Sequence, residues 1–109
     1  MKRVRKIKKE NKHLREVRSL VFKWIHPDQA DVFLFGSWAA GQVRRHSDID
    51  LGVLPKKPLP EDLLPNLREA LEESRVPYHV EIVDLSATDS KFKKLVLERG
   101  MAWKGMLSG

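Results

Sequence analysis

Gly36 and Ser37, and two aspartates one residue apart, Asp48 and Asp50, fall within one stretch, FGSWAAGQVRRHSDIDLGV from Phe35 to Val53. A glycine lets a phosphate approach backbone amides closely, and a serine hydroxyl adds a donor beside the positive end of any helix that follows. Asp48 and Asp50, on a strand of period two, project from the same face. Such a pair repels itself unless a cation or a proton intervenes. Hard oxygen donors that leave room for water and substrate phosphates suit Mg²⁺, with Mn²⁺ as a natural substitute. A third carboxylate would let the site hold two ions, one for the attacking oxygen and one for the leaving group. The segment HVEIVDL, 79–85, offers Glu81 and Asp84 on opposite faces. Glu81 is the stronger candidate, because it shares a mid-strand face with His79 and Val83. Asp84, at the strand end, suits a turn or cap for Ser86 to Asp89.

The elements that must position these residues alternate along the chain. Val4, Ile7, Leu14, Val17, Val21 and Trp24 recur every three or four residues, widened by Leu20 and Ile25, so residues 5–26 read as one amphipathic helix that Pro27 ends. DVFLF (31–35), DIDLGVL (48–54) and YHVEIVDL (78–85) read as strands. PEDLLPNLREALEES (60–74) and TDSKFKKLVLERG (88–100) read as helices, the second ended by Gly100. SWAAG has the character of a single helical turn. The expected fold is α/β (α+β), a two-layer or three-layer domain with a mixed sheet of mostly three strands and about four flanking helices. The short separation of the first two strands permits an antiparallel pair or a compressed crossover.

The chain of 109 residues is 41% hydrophobic, enough for one globular domain, read as 1–109 with a basic N-terminal helix at 1–26 and a motif-bearing core at 30–100. It has no cysteine, which excludes disulfides and thiolate metal sites and makes a cytoplasmic location the expectation. No apolar run approaches the roughly 20 residues of a membrane span. Net charge is +6, but residues 1–18 hold nine basic side chains against two acids, a local +7 that leaves −1 for the rest. Without interleaved aromatics that segment reads as a solvated face or a dock for an acidic protein, and nucleic acid is not favoured. Trp24 and Trp103 are expected to pack in a core or interface, while Trp38, beside the Gly-Ser turn, is left open between packing and stacking on a base.

The spacing GSWAAGQVRRHSDID, with a late carboxylate strand, resembles the Gly-Ser and Asp-x-Asp signature of DNA polymerase beta-like nucleotidyltransferases, and the short chain resembles their minimal members. The resemblance covers roughly residues 30–100. It implies that Gly36 and Ser37 contact a nucleoside triphosphate, that Asp48 and Asp50 ligate two Mg²⁺ or Mn²⁺ ions, and that Glu81 completes the ion serving the acceptor hydroxyl. Trp38 and Ala40 stand where many minimal members have arginines in a GSRARG-like turn; Arg44 and Arg45 could supply that charge, and Glu81 stands where Asp is more usual.

Larger members add an acceptor-holding domain, and 109 residues leave no length for one, so the acceptor is expected on another chain. Minimal members of this appearance resemble antitoxins paired with helical HEPN-family RNase toxins, some of which receive AMP from ATP on a tyrosine. The implied function is an adenylyltransferase-type antitoxin in a hetero-oligomer with its toxin. Two alternatives stay open: an inactive antitoxin that works by contact, and a subunit of a small-molecule or RNA nucleotidyltransferase.

Overall fold

The computed structural model describes residues 11–43 and 47–104. Helix α1 spans Lys12–Trp24, capped by the Asn11 side chain, which accepts from the His13 amide at 2.7 Å. Strand β1 follows at Ala30–Phe35, the single turn α2 at Ser37–Ala40, and strand β2 at Ile49–Pro55. Helix α3 covers Leu63–Glu72, strand β3 Val80–Asp84, helix α4 Ser90–Arg99 and strand β4 Met101–Trp103, with a 3₁₀ turn at Leu85–Ala87. The expected helix over 5–26 is described from Lys12 onward; Val4, Ile7 and most of the basic run lie outside the described residues. No helix among the described residues is long and apolar enough to cross a membrane.

The sheet has four strands in the order β3-β2-β1-β4, not three. The strand unforeseen in the sequence, β4, is three residues long and pairs antiparallel with β1, Val32 opposite Trp103. Periodicity cannot reveal so short a run. Gly100 makes the reversal into it feasible, since a Cβ there would press on the Val96 and Leu34 carbonyl oxygens. β1 and β2 are antiparallel and β2 and β3 parallel, which settles the connection left open by the sequence.

Alternation sorts the strands into two faces. Ala30, Val32, Leu34, Ile49, Leu51, Val53, Val80 and Ile82 are buried, forming one core with Val17, Val21 and Ile25 of α1 and Leu63, Leu64, Leu67 and Leu71 of α3. Trp103 joins this core, whereas Trp24 falls off the buried stripe and is 39% exposed. The opposite face carries Phe33, Phe35, Gly52 and Val83 under Leu85 and α4, with Phe35 and Phe92 in an edge-to-face contact at 5.6 Å. That cover reaches Phe35 but leaves Asp50 half-buried and Glu81 exposed beside it.

Candidate active site

Asp50 lies at the start of β2, directly between Phe35 on β1 and Glu81 on β3. A side chain in that row leaves the face opposite the main core, so the two carboxylates stand on adjacent strands pointing the same way. Asp48, two residues earlier, precedes β2 and is exposed, and its charge acts on Asp50, which is half-buried. His79 stands two residues before Glu81, and its Nε2 lies 3.2 Å from Glu81 Oε1. Asp84 is engaged elsewhere: its Oδ1 accepts from the Ser86 amide at 2.9 Å and the Ser86 hydroxyl at 2.6 Å, capping the 3₁₀ turn.

The Gly-Ser turn closes over the same point. Gly36 has φ +76°, in the left-handed region, and a Cβ there would collide with Asp50 Oδ2. Glycine is therefore required twice, by backbone conformation and by contact with the carboxylate. Its carbonyl accepts from the Ala39 and Ala40 amides at 3.1 Å, which starts α2 and leaves the earlier amides of the turn without an intrahelical acceptor. Gly41, at φ +73°, ends the turn. Gly36, Asp50 and Glu81 thus meet at one end of the sheet, with Ser37 next to Gly36 and Asp48 two residues before Asp50.

Burial raises the Asp50 carboxyl above its ordinary value of 3.8, the Asp48 and Glu81 charges push it further the same way, and His79 opposes them. Asp50, with the Asp48 and Glu81 charges acting on it beside a glycine turn, belongs to an all-oxygen donor set of the kind that suits a hard divalent cation. Among the described residues no three His, Asp or Glu side chains are drawn together into a ready metal cage.

The polymerase beta nucleotidyltransferase family model matches residues 26–102, which takes in α2 and every strand but the last residue of β4. The chain belongs to this family. As a nucleotidyltransferase-family chain it is 30% identical over 76 residues to MntA of Haemophilus influenzae, a probable protein adenylyltransferase; the match spans 70% of this chain and 66%, just under two thirds, of that protein. It is also similar to a solved toxin–antitoxin with AMP-PNP, at TM-score 0.66 and 27% identity over 87% of this chain and 73% of that one. A structure described as a proposed minimal nucleotidyltransferase superposes at TM-score 0.67 and 28% identity over 83% of this chain and 92% of that one.

Trp38 departs from the arginine of GSRARG-like turns, and the structure places it in the core, 9% exposed. It is not available to stack on a base. Its indole N–H donates to the Ser47 carbonyl at 3.3 Å, and its ring meets the edge of Tyr78 at 5.0 Å. Nothing in the spacing of the sequence pointed to Tyr78, because the contact joins residues forty positions apart. Arg44, Arg45 and His46 lie outside the described residues.

Proposed function

We propose that this chain is a metal-dependent nucleotidyltransferase that moves AMP from ATP to a hydroxyl, most reasonably a tyrosine, of a helical HEPN-family toxin, and so acts as its antitoxin. The observation that carries this is the row of Asp50 and Glu81 on paired strands, with the Gly36 turn so close to Asp50 that a Cβ would collide with it and the Asp48 charge acting on Asp50. Similarity to MntA and to a toxin–antitoxin with AMP-PNP supports the donor and the kind of partner.

Bound between Asp48, Asp50 and Glu81, a pair of Mg²⁺ or Mn²⁺ ions would supply the positive charge that favours a deprotonated acceptor and a leaving pyrophosphate. Gly36 and Ser37 hold the triphosphate through the turn's free amides and the Ser37 hydroxyl. His79 orients Glu81 through the 3.2 Å contact. The acceptor oxygen bonds to the α-phosphorus, the bond from that phosphorus to the bridging oxygen breaks, pyrophosphate leaves with its electron pair, and the acceptor gives up its proton. On this reading Asp48 and Asp50 would hold the ions, and Glu81 would complete the one serving the acceptor hydroxyl.

The full chain, mixed with the protein encoded beside it, should label that protein from α-³²P-ATP only when Mg²⁺ or Mn²⁺ is present. A contact-only antitoxin is the second reading, favoured by the loss of side-chain charge at Trp38 and Ala40. Neutralisation of the partner without nucleotide and without label would establish that reading and overturn the first.

A further inference from the structure

We propose that Trp38 is a positioning residue for Asp48, acting through a closed ring of contacts around that aspartate; this rests on the metal-site reading above. Asp48 is exposed and precedes β2, so neither burial of its side chain nor the start of the strand holds it in place. Its two flanking peptides are held instead. The Trp38 indole N–H donates to the carbonyl of Ser47, whose carbon is bonded to the Asp48 nitrogen, at 3.3 Å. On the other side the Ile49 amide donates to the His79 carbonyl at 2.9 Å.

The ring closes through Tyr78. Tyr78 adjoins His79 in sequence and packs edge to face on Trp38, with centroids 5.0 Å apart and planes at 77°. His13 of α1 packs on Tyr78 in turn, at 5.3 Å and 69°, tying the ring to that helix. Trp38, Ser47, Asp48, Ile49, His79 and Tyr78 therefore form one loop of covalent, hydrogen-bonded and aromatic links. Its membership is telling: it joins the turn that carries Ser37, the strand that carries Asp50 and the strand that carries Glu81. Metal affinity depends on ligand placement to a few tenths of an ångström and on the groups that orient the ligands. An indole suits this role, since it fills the core with its ring and still reaches a carbonyl with its one donor.

The test separates the donor from the ring. Trp38→Phe keeps an aromatic ring against Tyr78 and deletes the N–H; Tyr78→Leu keeps the N–H and removes the aromatic edge. Mn²⁺ binding by the full chain, with and without AMP-PNP, is read by electron paramagnetic resonance, and amide hydrogen exchange at Asp48 and Ile49 is read without metal. A Mn²⁺ dissociation constant raised about 3- to 10-fold in Trp38→Phe, a smaller rise in Tyr78→Leu, and faster exchange at Asp48 and Ile49 in both are expected, with cooperative melting retained. If Trp38→Phe does not fold, the Tyr78→Leu shift in binding and exchange decides. Wild-type Mn²⁺ affinity and exchange in a folded variant would show that Trp38 only fills space, overturning the inference and leaving the metal site standing. A wild-type chain that binds no Mn²⁺ would overturn both.

Discussion

Leu34, Leu51 and Ile82 form one row across β1, β2 and β3; Phe35, Asp50 and Glu81 form the row beside it at the same end of the sheet. The first row faces α1 and α3 and is almost wholly buried, while the second faces away and holds two carboxylates side by side. One residue along each strand separates a row that stabilises the fold from a row that costs it stability. Alternation along a strand lets the same three segments do both, because successive side chains cannot share a face. The aliphatic row gives the rigidity against which repelling charges can be held.

The largest expected effect breaks the second row. Asp50→Asn should reduce AMP transfer by about three orders of magnitude or more, since several kcal/mol of charge stabilisation depends on that ligand. The same variant should melt higher than wild type without metal, because it removes the carboxylate pressed on by Asp48 and Glu81. Radiolabel transfer beside a metal-free thermal melt reads both, and retained transfer would remove the proposed chemistry. Leu51→Ala gives the reverse pattern from the next position. It should cost about 2–5 kcal/mol of stability through the cavity it leaves, measured by urea denaturation, with metal affinity intact in the fraction that remains folded.

A finer contrast lies within β3. Glu81→Gln should lower transfer about 10- to 100-fold with little change in nucleotide affinity, whereas Asp84→Asn, which can still accept from Ser86, should leave transfer near wild type. Turnover and nucleotide titration on the two variants check this, and a damaging Asp84→Asn would move the third ligand to the other face.

The smallest effect is in the pH dependence. Asp50 has a raised carboxyl in the folded chain, so the unfolded chain releases its proton first. Its contribution to stability is full below 3.8 and is lost as pH rises through the raised value. Metal-free wild type should therefore show a stability decrement over that acid window that Asp50→Asn lacks, and urea midpoints across the window measure it. Identical profiles would mean that neither burial nor the Asp48 and Glu81 charges raise the Asp50 carboxyl.

Local patterning announced the elements wherever they were long enough to repeat. The 3.6-residue stripe of α3 and the apolar runs of β1 to β3 each carry several periods, and Asp-x-Asp on a strand fixes a common facing with no knowledge of the rest. Trp24 shows the limit, because α1 buries Val17 and Val21, with Ile25 just past its end, and turns Trp24 outward. Helical spacing gives the width of a stripe, and the neighbouring α3 decides where its edge falls.

Residue types and short spacing alone reveal the glycine turn, the Asp48 and Asp50 pair at the head of a strand, the place of Glu81 on a later strand and the family resemblance. Long-range packing sets β2 beside β3 in parallel, which puts Glu81 opposite Asp50 and not Asp84; that register follows from burying whole strands, not from any local signal. Long-range packing also decides that β4 closes the sheet, that Gly36 meets Asp50, and that Trp38 turns inward to Tyr78 and Ser47. These contacts join residues far apart in the chain, and they form because packing a single core leaves such side chains only one place in which both ring and donor are satisfied.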